Sequence, residues 1–160
     1  MEDILNKEPV KRVQKKLNEF SNELKVIVLN SSARTAQQAA ESLNTEVGSI
    51  VKSLLFKTED SFVLCLVSGD KRCSLNKLKK IKNQRDISMA NADEVKKVTG
   101  FTIGGVSPVA HLQRIEIFID EELNRFNNIY AAAGHPNCIF KIDFDNLKKI
   151  TKGSVKNITE

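Results

Sequence analysis

Apolar residues near the start of the chain fall at helical spacing. Val10, Val13, Leu17 and Phe20 recur at steps of three and four, with Lys11, Arg12, Lys15, Lys16 and Glu19 between them. This predicts an amphipathic helix over 9–22, opened by Pro9 and basic on its polar face. Lys25-Val26-Ile27-Val28-Leu29 predicts a short strand, and Thr35 with Gln38 forms a capping box ahead of an Ala-rich helix through Leu43, a unit closed by Gly48. Residues 50–57 and 62–68, separated by the polar turn Thr58-Glu59-Asp60-Ser61, predict a β-hairpin. Leu75, Leu78 and Ile81 give a helix with a narrow apolar stripe and outward lysines, and a further helix is predicted over 92–98. Beyond a glycine-bearing segment at 100–108, strands are predicted over 115–119, 129–132 and 138–142, then a closing helix over 144–150.

Strands and helices intermix without a steady βαβ alternation, so the expected class is α+β around a mixed, largely antiparallel sheet flanked by helices. With 160 residues, 41% hydrophobic and 28% charged, the chain has material for one domain with one sizeable core, and disorder is excluded. The longest apolar run, Phe62 to Val67, is strand length and far from the roughly 18 residues of a membrane span. The first eight residues lack the basic start and apolar centre of a signal peptide. Cys65, Cys73 and Cys138 are an odd number with no C-x-x-C spacing, which predicts free thiols in a reducing compartment. A soluble, cytoplasmic protein with no membrane partner is expected.

The common hydrolase and nucleotide signatures (G-x-S-x-G, H-E-x-x-H, the P-loop, G-x-G-x-x-G) are absent, and no triad assembles by motif. His135 and Cys138 have H-x-x-C spacing, but a zinc site wants about four ligands, and only the isolated His111, Cys65 and Cys73 remain; no metal and no cofactor are expected. Cys65 and Cys138, in or at the start of apolar strands, read as inert small hydrophobes.

Lys52 is more informative. Strand alternation places it on one face with Ile50, Leu54 and Phe56, while the opposite face carries Val51, Ser53 and Leu55, so neither side is plainly solvent. Such a cation must be paired, snorkel to the edge, or line a cavity that receives an anion. The segment Gly100 to Pro108 holds three of the seven glycines. There Gly104 and Gly105 let the backbone approach a ligand, Ser107 offers a hydroxyl and Pro108 stiffens the exit; a plain structural turn would use the same residues. A second small-residue segment, Ala131 to Pro136, contains Gly134 and His135 and reads as a close-packed strand end or a pocket wall. Between 71 and 85 lie seven basic residues, Lys71, Arg72, Lys77, Lys79, Lys80, Lys82 and Arg85, and no acidic one. A solvated helix face is one use of that bias and phosphate neutralisation the other. With no Trp and one Tyr, extensive base stacking is not expected.

Taken together and in order, Ile50-Val51-Lys52-Ser53-Leu54, Gly104-Gly105-Val106-Ser107-Pro108 and Ala132-Ala133-Gly134-His135-Pro136 resemble the YbaK-type aminoacyl-tRNA deacylases, whose domain also occurs as the editing insertion of bacterial prolyl-tRNA synthetases. The likeness runs from about residue 25 to 152, with the 9–22 helix before it, and implies a single YbaK-type domain over 1–160 with a barrel-like sheet. The resemblance implies trans-editing: hydrolysis of the ester joining a wrong, small amino acid to the terminal adenosine of tRNA, as for Cys-tRNA(Pro), without metal or covalent intermediate. Lys52 matches the family's essential lysine. Gly104 and Pro108 match its G-x-x-x-P loop, with Gly105 and Ser107 inside it, and Gly134, followed by His135, matches the late small-residue motif on the substrate side. The basic 71–85 stretch is the expected tRNA backbone contact, mischarged tRNA the expected partner and a synthetase such as prolyl-tRNA synthetase a second. The alternatives are a noncatalytic module of the same fold that binds tRNA or a synthetase, and a hydrolase of free esters.

Overall fold

The computed structural model describes residues 3–160. Helix α1, Glu8–Phe20, begins with Pro9 in its first turn and ends where Ser21 turns extended, slightly before the predicted end. Its stripe of Val10, Val13 and Leu17 is fully buried, whereas Phe20 stays 37% exposed. Strand β1 is only Ile27–Val28. Helix α2, Ala36–Leu43, carries the predicted capping box, with the Thr35 hydroxyl accepting from Gln38 N–H and the Gln38 side chain accepting from Thr35 N–H.

Strands β2, Ile50–Lys57, and β3, Phe62–Ser68, form the predicted hairpin with Leu54 opposite Cys65. They are followed by helix α3, Leu75–Lys82, strand β4, Ser88–Met89, and helix α4, Ala92–Thr99. The chain closes with β5, Glu116–Asp120, β6, Ile129–Ala132, β7, Cys138–Ile142, α5, Phe144–Thr151, and β8, Ser154–Lys156. Strands β4 and β8, absent from the sequence reading, are too short to show a period and exist because β2 and β5 offer them partners.

The sheet order is β1-β7-β6-β2-β3-β5-β8, with β4 on β2, and the path does not close. Antiparallel ladders join β1 to β7, β7 to β6, β2 to β3 and β2 to β4; parallel ladders join β2 to β6, β3 to β5 and β5 to β8. The α+β expectation and the mixed sheet therefore hold. Strand β3 lies between β2 and β5 and is covered on both faces. Leu64 and Leu66 join the larger core with α1, α4 and α5, while Val63, Cys65 and Val67 join a second core under Leu78 of α3. This double cover explains why β3 reads as an unbroken apolar run. Arg12 ties α1 to the 101–110 segment, its Nε donating to Ala110 C=O at 2.8 Å and its guanidinium lying 4.5 Å from the centre of the Phe101 ring.

Candidate active site

Strand β2 pairs with β3 from Val51 to Lys57 along one edge. Along the other, β6 reaches only Ile50 and Val51, and β4 only Phe56 and Lys57. Between them the edge from Lys52 to Leu55 has no strand partner among the described residues. Leu55 C=O accepts from Ala90 N–H at 3.0 Å across this gap. Because alternate residues of a strand direct N–H and C=O to the same edge, the peptide groups of Ser53 face the gap as well.

A cavity of about 340 Å³ occupies it. Its floor is β2 from Ile50 to Leu55, with Tyr130 to Ala132 of β6 on one side and Met89, Ala90 and Val95 on the other. Ile103, Gly104 and Val106 close it from the glycine segment, and Ala33 to Ala36 from the entry to α2. Most of this wall is aliphatic. The hydroxyl of Ser53 is buried there without a hydrogen-bond partner among the described residues, an unmet polar demand that a ligand could satisfy.

Lys52 lies on the cavity wall, and its Nζ donates to Lys71 C=O at 2.5 Å. The amine is thus neither snorkelled into bulk solvent nor ion-paired among the described residues; a backbone carbonyl holds it, leaving two of its three donors. Burial pulls its pKa below the ordinary lysine value, while Cys73 and Asp70 oppose that shift. The turn supplying Lys71 C=O is anchored by Asp70, whose carboxylate takes both guanidinium nitrogens of Arg125 at 2.8 and 3.2 Å. That contact also holds the Asp70 carboxyl below its usual range.

The glycine segments meet through their backbones. Gly134 N–H donates to Gly105 C=O at 3.1 Å, and a Cβ on Gly105 would come within 2.9 Å of the His135 amide nitrogen. Gly104, at φ +98°, is presented to the cavity against the side chain of Arg34. The five other site residues expected from these two segments do not line the cavity. Gly105 N–H is already bonded to Thr102 C=O. Ser107 is fully buried, its hydroxyl accepting from Val109 N–H and its carbonyl bonded to His111, and Pro108 is buried beside it. Gly134, at φ +92°, packs on the Pro9 backbone, and His135 Nδ1 accepts from Asn137 N–H. These five hold the shape of the loop that delivers Gly104.

The basic stretch divides in the same way. Lys71 pairs with Glu122, Lys77 donates to Asn157 and Thr159, and Lys82 pairs with Glu116. Arg72, Lys79, Lys80 and Arg85 make no ion pair among the described residues. Lys79 and Arg85 line a shallow groove with Lys57 and Ser88, and the next residue, Met89, is already cavity wall. The groove also holds Glu59 and Asp86, and its Lys57 pairs with Glu94, so Lys79 and Arg85 are its unpaired cations among the described residues. Sequence reading missed Ser53, Arg34 and Tyr130. A hydroxyl beside Lys52 in an otherwise apolar strand was the one local signal; nothing marked Arg34 in its polar loop.

A family model for the aminoacyl-tRNA editing domain matches residues 30–150. Across 99% of its length the chain is 26% identical to a proline–tRNA ligase of Caldicellulosiruptor saccharolyticus, of which it covers 26%. The chain thus spans about a quarter of that relative's length. It is 28% identical to the uncharacterized Bacillus subtilis protein YwhH, over 91% of this chain and 93% of that one. In three dimensions it superposes with a TM-score of 0.91 and 37% identity on a proposed trans-editing enzyme for prolyl tRNA synthetase, covering 96% of this chain and 98% of the other. With residues 30–150 matched and this neighbour superposed along nearly its whole length, the chain belongs to the aminoacyl-tRNA editing domain family, of the YbaK type.

Proposed function

We propose that this protein is a trans-editing deacylase that hydrolyses the ester between a small, wrong amino acid and the terminal ribose of a tRNA. The observation that carries this reading is the unpaired edge of β2, where Lys52, Ser53 and Gly104 stand on the wall of one largely aliphatic cavity. An aminoacyl ester is already activated, so a site that orients it and stabilises charge in the transition state suffices.

In this reading the aminoacyl side chain enters the aliphatic cavity. The carbonyl oxygen lies toward the edge of β2, where Ser53 N–H and its unpartnered hydroxyl are the donors for the developing oxyanion. In the glycine loop the available donor is Gly104, because Gly105 N–H is committed to Thr102 C=O. Lys52, fixed by Lys71 C=O, directs its remaining donors at the ribose end, and Arg34 at the cavity mouth meets the adjoining phosphodiester. Water adds to the carbonyl carbon, the bond to the ribose oxygen breaks, and that oxygen leaves as a hydroxyl; the neighbouring ribose hydroxyl assists the proton transfer. The backbone of the tRNA follows the groove of Lys79 and Arg85.

The test is a panel of mischarged tRNAs and free amino-acid esters, with and without chelator, on the wild type and Lys52→Met. Hydrolysis of a mischarged tRNA, lost in the variant, supports the reading. Binding of tRNA with no hydrolysis of any member identifies a noncatalytic module instead, and hydrolysis of free esters alone identifies a small-molecule esterase.

A further inference from the structure

The face of the sheet that carries Lys52 also carries two thiols. Leu54 stands opposite Cys65 in the β2/β3 register and Lys52 opposite Val67, so Lys52 and Cys65 are diagonal neighbours on one face. The segment 71–74 folds over that face. Lys71 C=O takes the Lys52 amine, Cys73 packs on the core that contains Cys65, and a bridge to Thr159 holds Cys73 in place. Cys65 is fully buried, whereas Cys73 is partly exposed.

We propose that Cys65 and Cys73 form an oxidisable thiol pair that a peroxide converts to a disulfide, and that closing the bond moves the 71–73 segment and with it the carbonyl that fixes Lys52. Cys73 packs against the cluster that contains Cys65, and the Cys65 thiol lowers the pKa of Cys73, with the Lys52 ammonium adding to that, while burial and Asp120 oppose it. The same contact, with burial, raises Cys65. Cys73 is therefore the attacking sulfur, accessible and favoured as thiolate, and Cys65 the resolving one.

The chemistry balances. Cys73 sulfur attacks one peroxide oxygen, the O–O bond breaks, and one water leaves with a sulfenic acid remaining on Cys73. Cys65 sulfur then attacks Cys73 sulfur, the S–O bond breaks, and the departing hydroxide takes the Cys65 proton as a second water. Two thiols are oxidised together by two electrons and the peroxide is reduced to two waters. The third thiol, Cys138, lies at the start of β7, where burial pushes its pKa up to about 11, and takes no part.

The effect on hydrolysis rests on the editing reading of Lys52, so the experiment reads the two separately. Reduced protein is first assayed on mischarged tRNA, then treated with stoichiometric hydrogen peroxide, mapped by non-reducing peptide mass spectrometry, and assayed again before and after dithiothreitol. The expected result is a peptide linking Cys65 to Cys73, a loss of hydrolysis of about 10²-fold, and recovery with dithiothreitol. Cys73→Ser, or Cys73→Ala if the serine variant does not fold, abolishes both the link and the peroxide sensitivity. Oxidation that stops at a sulfinic acid on Cys73, a link only between two molecules, or no thiol modification overturns the pair. A Cys65–Cys73 link that leaves hydrolysis unchanged overturns the coupling to Lys52. If the reduced protein hydrolyses nothing, it is the editing reading that fails, and the peptide map still decides the thiol chemistry.

Discussion

Replacing Lys52 by methionine separates its charge from its bulk. The aliphatic stem that fills the space between β2 and the 71–73 segment is kept, and the ammonium alone is lost. On stability, two effects oppose. The variant loses a charged donor to Lys71 C=O, an interaction worth about 1.5–3 kcal/mol. It also removes a cation whose burial is unfavourable enough to pull its pKa down. The net change in unfolding free energy should be only about 1 kcal/mol, within the usual range of single substitutions. On hydrolysis nothing compensates. Loss of the group that holds the ribose end lets the ester shift from its reactive position, which costs about 10²-fold in rate, or about 2.7 kcal/mol. Deacylation should be followed under single-turnover conditions, with urea unfolding measured on the same preparations. A methionine variant within about threefold of wild type, under 1 kcal/mol by the rate ratio, would falsify the role given to Lys52.

Four further outcomes follow from the same geometry. Ala132→Leu places added methylenes into the cavity, and discrimination against the bulkier aminoacyl esters should rise by about 1–3 kcal/mol in kcat/KM, whereas unchanged selectivity would place the side chain elsewhere. Gly134→Ala sets a Cβ 2.8 Å from the Pro9 backbone at φ +92°, so it should cost about 1–3 kcal/mol of stability in a denaturant titration. Removing Lys80 and Arg85 together should weaken tRNA binding without changing which aminoacyl group is preferred, and should reduce the salt slope by about 1 per residue in filter-binding assays across ionic strengths. Asp120 is fully buried, and burial raises its carboxyl above the usual range against the opposing Thr159 hydroxyl. Its folded state holds the proton more tightly than the unfolded one. The stability it contributes is full below the ordinary carboxylate pKa and is lost as pH rises through the raised value, so Asp120→Asn should flatten that decline in urea midpoints.

The sequence by itself determined the local elements. The three-and-four spacing from Val10 to Leu17, the Thr35 and Gln38 capping box and the alternation on either side of the 58–61 turn each act between residues only a few positions apart, so α1, α2 and the β2/β3 hairpin were legible in order and nearly to the residue. It also marked Lys52 as a cation without an obvious environment. Tertiary structure alone decided what that environment is. Lys52 is held by a carbonyl 19 residues away, the gap it lines exists because β6 and β4 stop short along β2, and Cys65 meets Cys73 only because the 71–74 segment folds across β3. The same packing buried Ser107 and turned Gly105 toward Gly134, so that of the glycine loop only Gly104 and its apolar neighbours Ile103 and Val106 reach the cavity. Periodicity records which face of an element is apolar; which elements that face will meet, and where their pairing ends, depends on loop closure and core packing summed over the whole chain.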